Sequence, residues 1–442
     1  MSKNKIKIDE GKSNNFFKRL FLIVFFFTIL EGAVRKWFIQ GYDVQLILLR
    51  DGLVLYSIFY GFNKRFFIKN WKENILLLWT ILVTVWSFLQ FVINDFNPFI
   101  TLIGIRNWVL YFWFSLLCLR CLGKKELESI LLILLYTIIP IGILVIYQHF
   151  MPAGHIINKQ VGTTTVEDIF TVAFGVVRTS GTFTFTSGQV QYLAFLTPII
   201  FYLMGGKYND SISQISKIII LILFFISIAL SGSRGAIMNS GFMLLMFFLI
   251  SLKLNKMKNI LSYLFFGLIF IFFISYFFDN AIEATKFRFQ EASDSDQISS
   301  RIMRIIFGTS EIWLNFNLFG EGIGIRSNLS KLFVNINFTD AENETSKVLY
   351  EGGLVGLIFI LIKFIFSIIV LLKCYKISIK TKNIFPFLYS VYMGQQLLVA
   401  QITGQVTTHA FTFLGLGILF IILNSYGYEE SHLNIKDTRN NI

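Results

Sequence analysis

The sequence predicts an all-α integral membrane protein of about twelve transmembrane helices. Three observations carry that expectation. Of 442 residues, 55% are hydrophobic and only 15% charged, against roughly 45–50% and 25% in soluble domains. Apolar runs recur from near residue 20 to residue 424, with no polar block long enough to hold a separate core. The runs show no period-two alternation, and a lipid-facing backbone must satisfy its own hydrogen bonds, as a helix does. A soluble enzyme, a disordered regulator and a secreted disulfide scaffold are excluded.

A crossing helix takes about 20 mostly apolar residues. Such runs lie near 18–38, 44–61, 74–93, 99–120, 129–150, 189–205, 216–231, 235–252, 260–278, 346–373, 385–402 and 408–425. The first follows a basic stretch (Lys3, Lys5, Lys7, Lys12, Lys18, Arg19) in the manner of a signal peptide. It lacks a small-residue cleavage site and continues into Glu31-Gly32-Ala33-Val34-Arg35-Lys36-Trp37, so it reads as a retained span. The expected organisation is a basic tail (1–19), a bundle of about nine spans (20–278) and a large outer loop (279–345). Three last spans (346–425) and a tail (426–442) follow. A second outer loop, near 151–188, is rich in Gly, Thr and Ser. Within 279–345, the stretches 287–290 and 301–313 carry apolar residues at roughly helical spacing (Ile302, Ile305, Ile306, Ile312), predicting short amphipathic helices.

Orientation follows from the asymmetry of Lys and Arg between alternate loops. With the N-terminus in the cytoplasm, the two tails and the loops near 62–73, 120–128, 206–217, 253–259 and 373–382 hold most of the 39 basic residues. The short outer loops hold almost none beyond Arg35, Lys36 and Arg234. An even number of spans returns the C-terminus to the cytoplasm. Cys118, Cys121 and Cys374 then fall at cytoplasmic ends, where thiols stay reduced. The net charge of +13 reads as an anchor against anionic headgroups, and no nucleic acid is expected as a partner.

Several chemistries lack their motifs. There is no Gly-x4-Gly-Lys-Ser/Thr loop, and Gly320-Glu321-Gly322-Ile323-Gly324 opens no βαβ unit. The four histidines, His149, His155, His409 and His432, have no zinc spacing. Ser231-Gly232-Ser233-Arg234-Gly235 has Ser where a nucleophile elbow needs its first Gly.

What remains is a set of arginines at the outer boundary: Arg178, Arg234, Arg301, Arg304 and Arg326. Arg234 sits in a turn of a few residues between two strongly apolar runs, beside Ser231, Gly232 and Gly235. A tight turn presents backbone N–H groups beside the guanidinium, which suits a pyrophosphate taking bidentate hydrogen bonds. The bland alternative is a snorkelling interfacial arginine. Arg50, Asp51 and Arg106 lie at membrane depth, with Lys363 in the tenth span. Facing lipid each would cost several kcal/mol, so they point inward and pair, either for function or to fix helix packing. The outer carboxylates include Glu31, Asp168, Glu311, Glu321, Glu342, Glu344 and Glu351. A general base must be held close to the hydroxyl it deprotonates, and chemistry alone does not rank Glu342, Glu344 and Glu351.

Four stretches in order resemble the O-antigen polymerase and ligase superfamily of bacterial envelope glycan assembly. Arg178-Thr179-Ser180-Gly181-Thr182-Phe183 is similar to its arginine-containing Gly-Thr-Phe segment. Leu230-Ser231-Gly232-Ser233-Arg234-Gly235-Ala236 resembles its Ser-Arg-Gly-Ala turn, the most specific match. Arg301 with 319–324 resembles part of its large outer loop. Glu342-Asn343, followed by Gly353-Leu354-Val355-Gly356, stands where the ligases carry His-Asn and a Gly-x-x-Gly entry to a span. Residues 31–37 resemble a pattern near the N-terminus of some polymerase-like members. The main departure is Glu342 in the place of the proposed catalytic His; a carboxylate still accepts a hydroxyl proton, and the change favours a polymerase over a lipid A–core ligase.

The resemblance implies a glycosyltransferase joining polyprenyl-diphosphate-linked repeat units on the outer face of the bacterial cytoplasmic membrane, both termini being cytoplasmic. Glu342 is the expected base, and Arg178, Arg234 and Arg301 the expected diphosphate ligands. Ser233, Gly235, Asn343, Arg304, Arg50 and Arg106 are supporting candidates. With arginine stabilising the leaving charge, neither a metal nor a cofactor is expected. Expected partners are the lipid-linked glycans, membrane lipid, a chain-length regulator and a flippase. The rival readings are a ligase that moves finished glycan to another acceptor, and a lipid-linked oligosaccharide flippase. A transporter calls for paired interrupted helices in two halves, whereas here the charges gather at one face.

Overall fold

The computed structural model describes residues 10–39, 41–67, 71–94, 97–161, 171, 175–205, 212–255, 276, 278–295, 298–330, 333 and 343–440. Among them the chain is helical and contains no strand, only an isolated bridge between Thr171 and Val177. Helices α1 (Glu10–Ala33), α2 (Asp43–Asn63) and α3 (Trp71–Asn94) open the bundle. The next two crossings are each built from two pieces: α4 (Pro98–Ile105) with α5 (Tyr111–Cys121), and α6 (Lys124–Tyr136) with α7 (Ile138–Phe150). Then come α8 (Thr186–Gly205), α9 (Gln214–Leu230) and α10 (Arg234–Lys253). Every predicted run carries a helix except 260–278, most of which lies outside the described residues. Among the described residues, seven helical segments are long and apolar enough to cross a membrane; α9 is apolar but shorter. Of the other expected spans, 260–278 lies mostly outside the described residues, and the rest carry helices that are short or diluted by polar and charged residues.

The membrane setting shows in which side chains face out. Along α3, Ile75, Leu78, Ile81, Val85, Phe88 and Val92 are exposed, whereas Ser87 and Gln90 are buried. A soluble bundle has the opposite pattern; outward apolar faces with polar groups inside suit lipid as solvent. The centre is α8 and the long α17 (Val406–Asn440), which packs on α5 and on α16 (Phe385–Val399). Phe195, Phe411, Tyr392 and Leu414 are buried there.

The described part of 279–345 carries the helices α11 (Asp279–Ser295), α12 (Ile298–Phe307) and α13 (Ser310–Leu314); α11 is longer than the short helix expected at 287–290, and α12 and α13 divide the one expected at 301–313. The run read as one span over 346–373 is broken instead: α14 (Glu344–Gly352) ends at Gly353, and α15 (Leu354–Thr381) starts anew. The break arises because Gly353 adopts φ +53°, a conformation an L side chain rarely takes. The expected span takes in Val348, Leu349 and Tyr350, although Lys347 and Glu351 interrupt the apolar sequence there.

The Gly320–Gly324 loop is pressed between α4 and this break. Gln90 holds it by donating to the Phe319 and Glu351 carbonyls at 2.5 and 2.8 Å and accepting from Ile323 N–H at 2.9 Å. A Cβ on Gly324 would fall 2.5 Å from the Gly104 nitrogen, and one on Gly104 2.2 Å from the Ile323 carbonyl oxygen. The two backbones touch, which only glycine allows.

Candidate functional site

Two wide, π-type turns carry cations into the interior. One, Val34–Phe38, prolongs α1 and bears Arg35 and Lys36; the other, Arg106–Leu110, joins α4 to α5 and bears Arg106 and Asn107. Such turns insert an extra residue into a helix and often mark functional sites.

From the first turn a chain of buried ion pairs and hydrogen bonds runs through the bundle. Glu31 pairs with Arg35 at 3.3 Å and with Arg50 at 3.0 Å. Arg50 Nε donates to the Tyr111 hydroxyl at 3.1 Å, and that hydroxyl donates to Asp51 Oδ1 at 2.6 Å. Asp51 takes a bidentate pair from Arg106, at 2.5 and 3.1 Å. Arg106 also donates to Asn107 Oδ1 at 2.6 Å, and Asn107 donates to the Thr403 carbonyl at 3.1 Å. Thr403 N–H in turn donates to Glu344, 3.1 Å from Oε1, and its hydroxyl accepts from Lys347 at 3.1 Å. Lys363 lies 3.8 Å from Glu344, and Lys347 3.6 Å from Glu351. Glu351 accepts the Arg326 N–H at 2.8 Å, and Arg326 forks onto Glu321 at 2.8 and 2.9 Å over the Tyr350 ring.

Arg50, Asp51, Glu344, Lys347, Glu351 and Lys363 are all buried. Desolvating so many charges is tolerable only because each meets an opposite charge and hydrogen bonds. Glu31, read from sequence as an outer carboxylate, is buried within this chain. Of the two arginines near Asp51, Arg106 is its direct ion partner, and Arg50 forms its ion pair with Glu31. Glu351 lies in α14, outside the spanning α15; burial pushes its carboxyl above the usual carboxylate range, with Lys347 and the Arg326 and Gly324 N–H groups pulling it back.

The same turn fixes the 178–183 segment. Lys36 Nζ donates to the Gly181 carbonyl at 2.8 Å and the Ser180 hydroxyl at 3.1 Å. Gln148 closes the segment from α7, accepting the Gly181 N–H at 2.8 Å and donating to its carbonyl at 3.1 Å. Gly32 packs so closely that a Cβ there would sit 2.6 Å from the Thr182 oxygen. Thr179 then donates to the Leu230 carbonyl at 3.0 Å, joining the segment that bears Arg178 to the turn before Arg234.

Arg234 is the first residue of α10, with Ser233 as its N-cap accepting the Ala236 N–H at 3.4 Å. Gly232 makes the turn at φ +55°, while Gly235 already lies in the first helical turn. Helix N-termini carry partial positive charge and free N–H groups, so this corner attracts an anion. α11 packs against both α9 and α10.

Of the other sequence candidates, Glu342 lies outside the described residues, and Arg301 is described only as a position in α12. Asn343 caps α14, its side chain accepting the Ser346 N–H at 2.7 Å. α14 is bound to the helix of Arg301 and Arg304, because Thr345 donates to the Ile305 and Ile306 carbonyls at 3.0 and 3.1 Å. The segment of Arg178 thus meets the turn before Arg234 by way of Thr179, the helix of Arg301 meets the one that Asn343 caps through Thr345, and the ion chain runs between Arg35 and α14.

Sequence reasoning passed over Tyr111, Lys36, Gln148, Lys347 and His409. The His409 ring stands edge-on to Tyr111 at 4.7 Å, with Nδ1 3.0 Å from the Ile402 carbonyl. Only Lys36 gave a sequence signal, as a cation next to Trp37 at the end of an apolar run.

The architecture is that of a multi-pass, all-α membrane protein with a buried polar centre. Residues 219–361, from within α9 into α15, match the model of a family described as O-antigen ligase, so the resemblance to the O-antigen polymerase and ligase superfamily holds over that segment. With that family goes a membrane enzyme of glycan assembly, of the glycosyl-transferring kind, acting on lipid-linked glycans. No curated protein and no solved structure matches the chain.

Proposed function

We propose that the protein polymerises polyprenyl-diphosphate-linked oligosaccharide units on the outer face of the bacterial cytoplasmic membrane, with both termini inside. The acceptor hydroxyl oxygen attacks the anomeric carbon of the donor sugar, whose bond to the diphosphate oxygen breaks with the electron pair leaving on the diphosphate. Arg178, Arg234 and Arg301 bind that diphosphate and stabilise its growing charge. Glu342 takes the hydroxyl proton. The arginines supply the stabilisation that a metal ion gives elsewhere.

The observation that supports this reading most is the Thr179 hydrogen bond to the Leu230 carbonyl, which brings the segment of Arg178 to the turn of Arg234 beside a helix N-terminus. A second support is the pair of Thr345 hydrogen bonds, which ties the helix of Arg301 to the helix that Glu342 precedes. The second reading, a ligase, is favoured by the description of the matched family; Glu342 in place of His speaks for the polymerase.

Complementation of a deletion strain tests both. Arg234→Ala should abolish polymer while leaving membrane abundance unchanged, and Glu342→Gln should be inactive with Glu342→His regaining part of the activity. Single lipid-linked repeat units accumulating in these variants mark a polymerase; finished polymer left on its lipid marks a ligase. Wild-type chain lengths in Arg234→Ala would remove the role given to that residue.

A further inference from the structure

Beside the Arg178 segment lies a cavity of about 430 Å³, formed by the end of α7, the loop after it, and the start of α11. Its volume falls in the ~300–1,000 Å³ range of small-molecule sites. The walls are aromatic: Phe150 and Tyr276 are strongly exposed into this region, while Phe278 is buried behind them. The Phe150 and Phe278 ring centroids are 5.9 Å apart, and the His149 ring stands 5.6 Å from Phe278. His149 Nδ1 has no hydrogen-bond partner among the described residues, and its ring packs edge-on against Phe150 and Phe278. The polar groups are Asp279 and Asn280, at the first turn of α11.

Flat aromatic faces beside a carboxylate and an amide match a sugar ring, which has apolar C–H faces and hydroxyls around its rim. The carboxylate of Asp279 repels a diphosphate, so the charged part of a lipid-linked glycan belongs elsewhere. The cavity wall ends at Val177, the residue before Arg178, and α11 itself rests on α9 and α10, whose junction bears Arg234. A sugar in this cavity is therefore next to the corner where the diphosphate was placed.

We propose that this cavity binds a pyranose ring of the lipid-linked glycan, stacked on Phe150 and Tyr276 and hydrogen-bonded by Asp279 and Asn280. The inference rests on the glycan-transfer reading and adds to it a sugar subsite outside the arginine corner.

The test uses the full-length protein in nanodiscs and two probes. One is the lipid-linked oligosaccharide extracted from the deletion strain; the other is the oligosaccharide released from it by mild acid, which lacks diphosphate and lipid. Saturation-transfer NMR with the released oligosaccharide should give a signal for the wild type and for Arg234→Ala. The signal should fall several-fold in Phe150→Leu, which keeps apolar volume but loses the flat face, and in Asp279→Ala. With the intact lipid-linked probe, the same two variants should raise KM about tenfold, equivalent to ~1.4 kcal/mol, with little change in kcat. Undiminished signal in both variants, or none in the wild type, overturns the sugar subsite. Full activity in Arg234→Ala together with lost signal in the cavity variants would instead remove the arginine corner and leave the subsite standing. Monodisperse elution of each variant separates these outcomes from misfolding.

Discussion

Lys36 and Gly181 are joined by a hydrogen bond of 2.8 Å from ammonium to carbonyl, inside the protein, across 145 positions of sequence. The end of the first helix thereby holds the segment that leads from Arg178. The side chain is almost fully buried, and its partners are a carbonyl and a hydroxyl rather than a carboxylate. Losing the donor leaves the buried Ser180 hydroxyl without this partner and the Gly181 carbonyl with Gln148 alone, at a cost of about 1–3 kcal/mol. Lys36→Met should reduce polymer formation at least tenfold, and Lys36→Arg should restore part of it. Unchanged chain lengths in Lys36→Met on a gel of extracted glycan would show that the segment holds its place without this strap.

Asp51 and Arg106 form the shortest bidentate pair in the buried chain. Removing one partner strands a buried charge and costs about 3–5 kcal/mol, whereas replacing both by apolar groups is often neutral. Asp51→Asn should therefore lower the melting temperature in detergent sharply. Asp51→Leu combined with Arg106→Leu should recover most of that loss without recovering activity. Recovery of both would assign the pair to packing alone.

Gly324 is confined by contact and Gly41 by conformation alone. Both have positive φ, +95° and +86°, but nothing lies within 4 Å of a Cβ on Gly41, whereas Gly324 meets the Gly104 backbone at 2.5 Å. Gly41→Ala should cost only the strain of a left-handed residue, about 1–3 kcal/mol. Gly324→Ala should cost more and should expose the 318–330 loop to limited proteolysis. Equal proteolytic rates in the two variants would contradict the interlock.

Glu351 gives a pH dependence of definite sign. Its folded carboxyl titrates above the unfolded value because burial disfavours the charged form. A raised carboxylate pKa means that its contribution to stability is full below about pH 4.3, the unfolded value, and is lost as pH rises through the folded pKa. Between those limits the wild type should lose stability with rising pH, and Glu351→Gln should lose that component. A melting curve series with the same slope in both proteins would place the titration elsewhere.

The helices were legible because a span is a local property: length and apolar content suffice, and they put helices on all the described runs. The charges at Arg50, Asp51 and Arg106 were legible for a related reason, since an ion amid apolar sequence needs a partner. Which partner it finds is a matter of packing. Glu31 reads as an outer carboxylate, yet it is buried and faces Arg50 from the neighbouring helix. Asn107 and Thr403, separated by 296 positions, show no relation in sequence. The break at Gly353 is missed when Val348, Leu349 and Tyr350 are joined to the apolar run after it, although Glu344, Lys347 and Glu351 make the stretch before it polar. In the candidate site, Arg178 and Arg234 stood out as motif residues; Lys36 lies in the 31–37 stretch with no role of its own assigned there, Gln148 belongs to no motif, and both matter through their contacts with Gly181.

The wide turns at Val34–Phe38 and Arg106–Leu110 have a bearing on how relatives of this chain are to be compared. An α-helix advances about 100° per residue, so deleting one residue from either turn would rotate Arg35 with Lys36, or Arg106 with Asn107, out of phase with the rest of the helix. Overall hydropathy would barely register the change. Two chains with superimposable hydropathy plots can therefore differ in whether their cations reach the interior at all. Gap placement at these two points, more than percentage identity, marks which relatives keep the same charged centre.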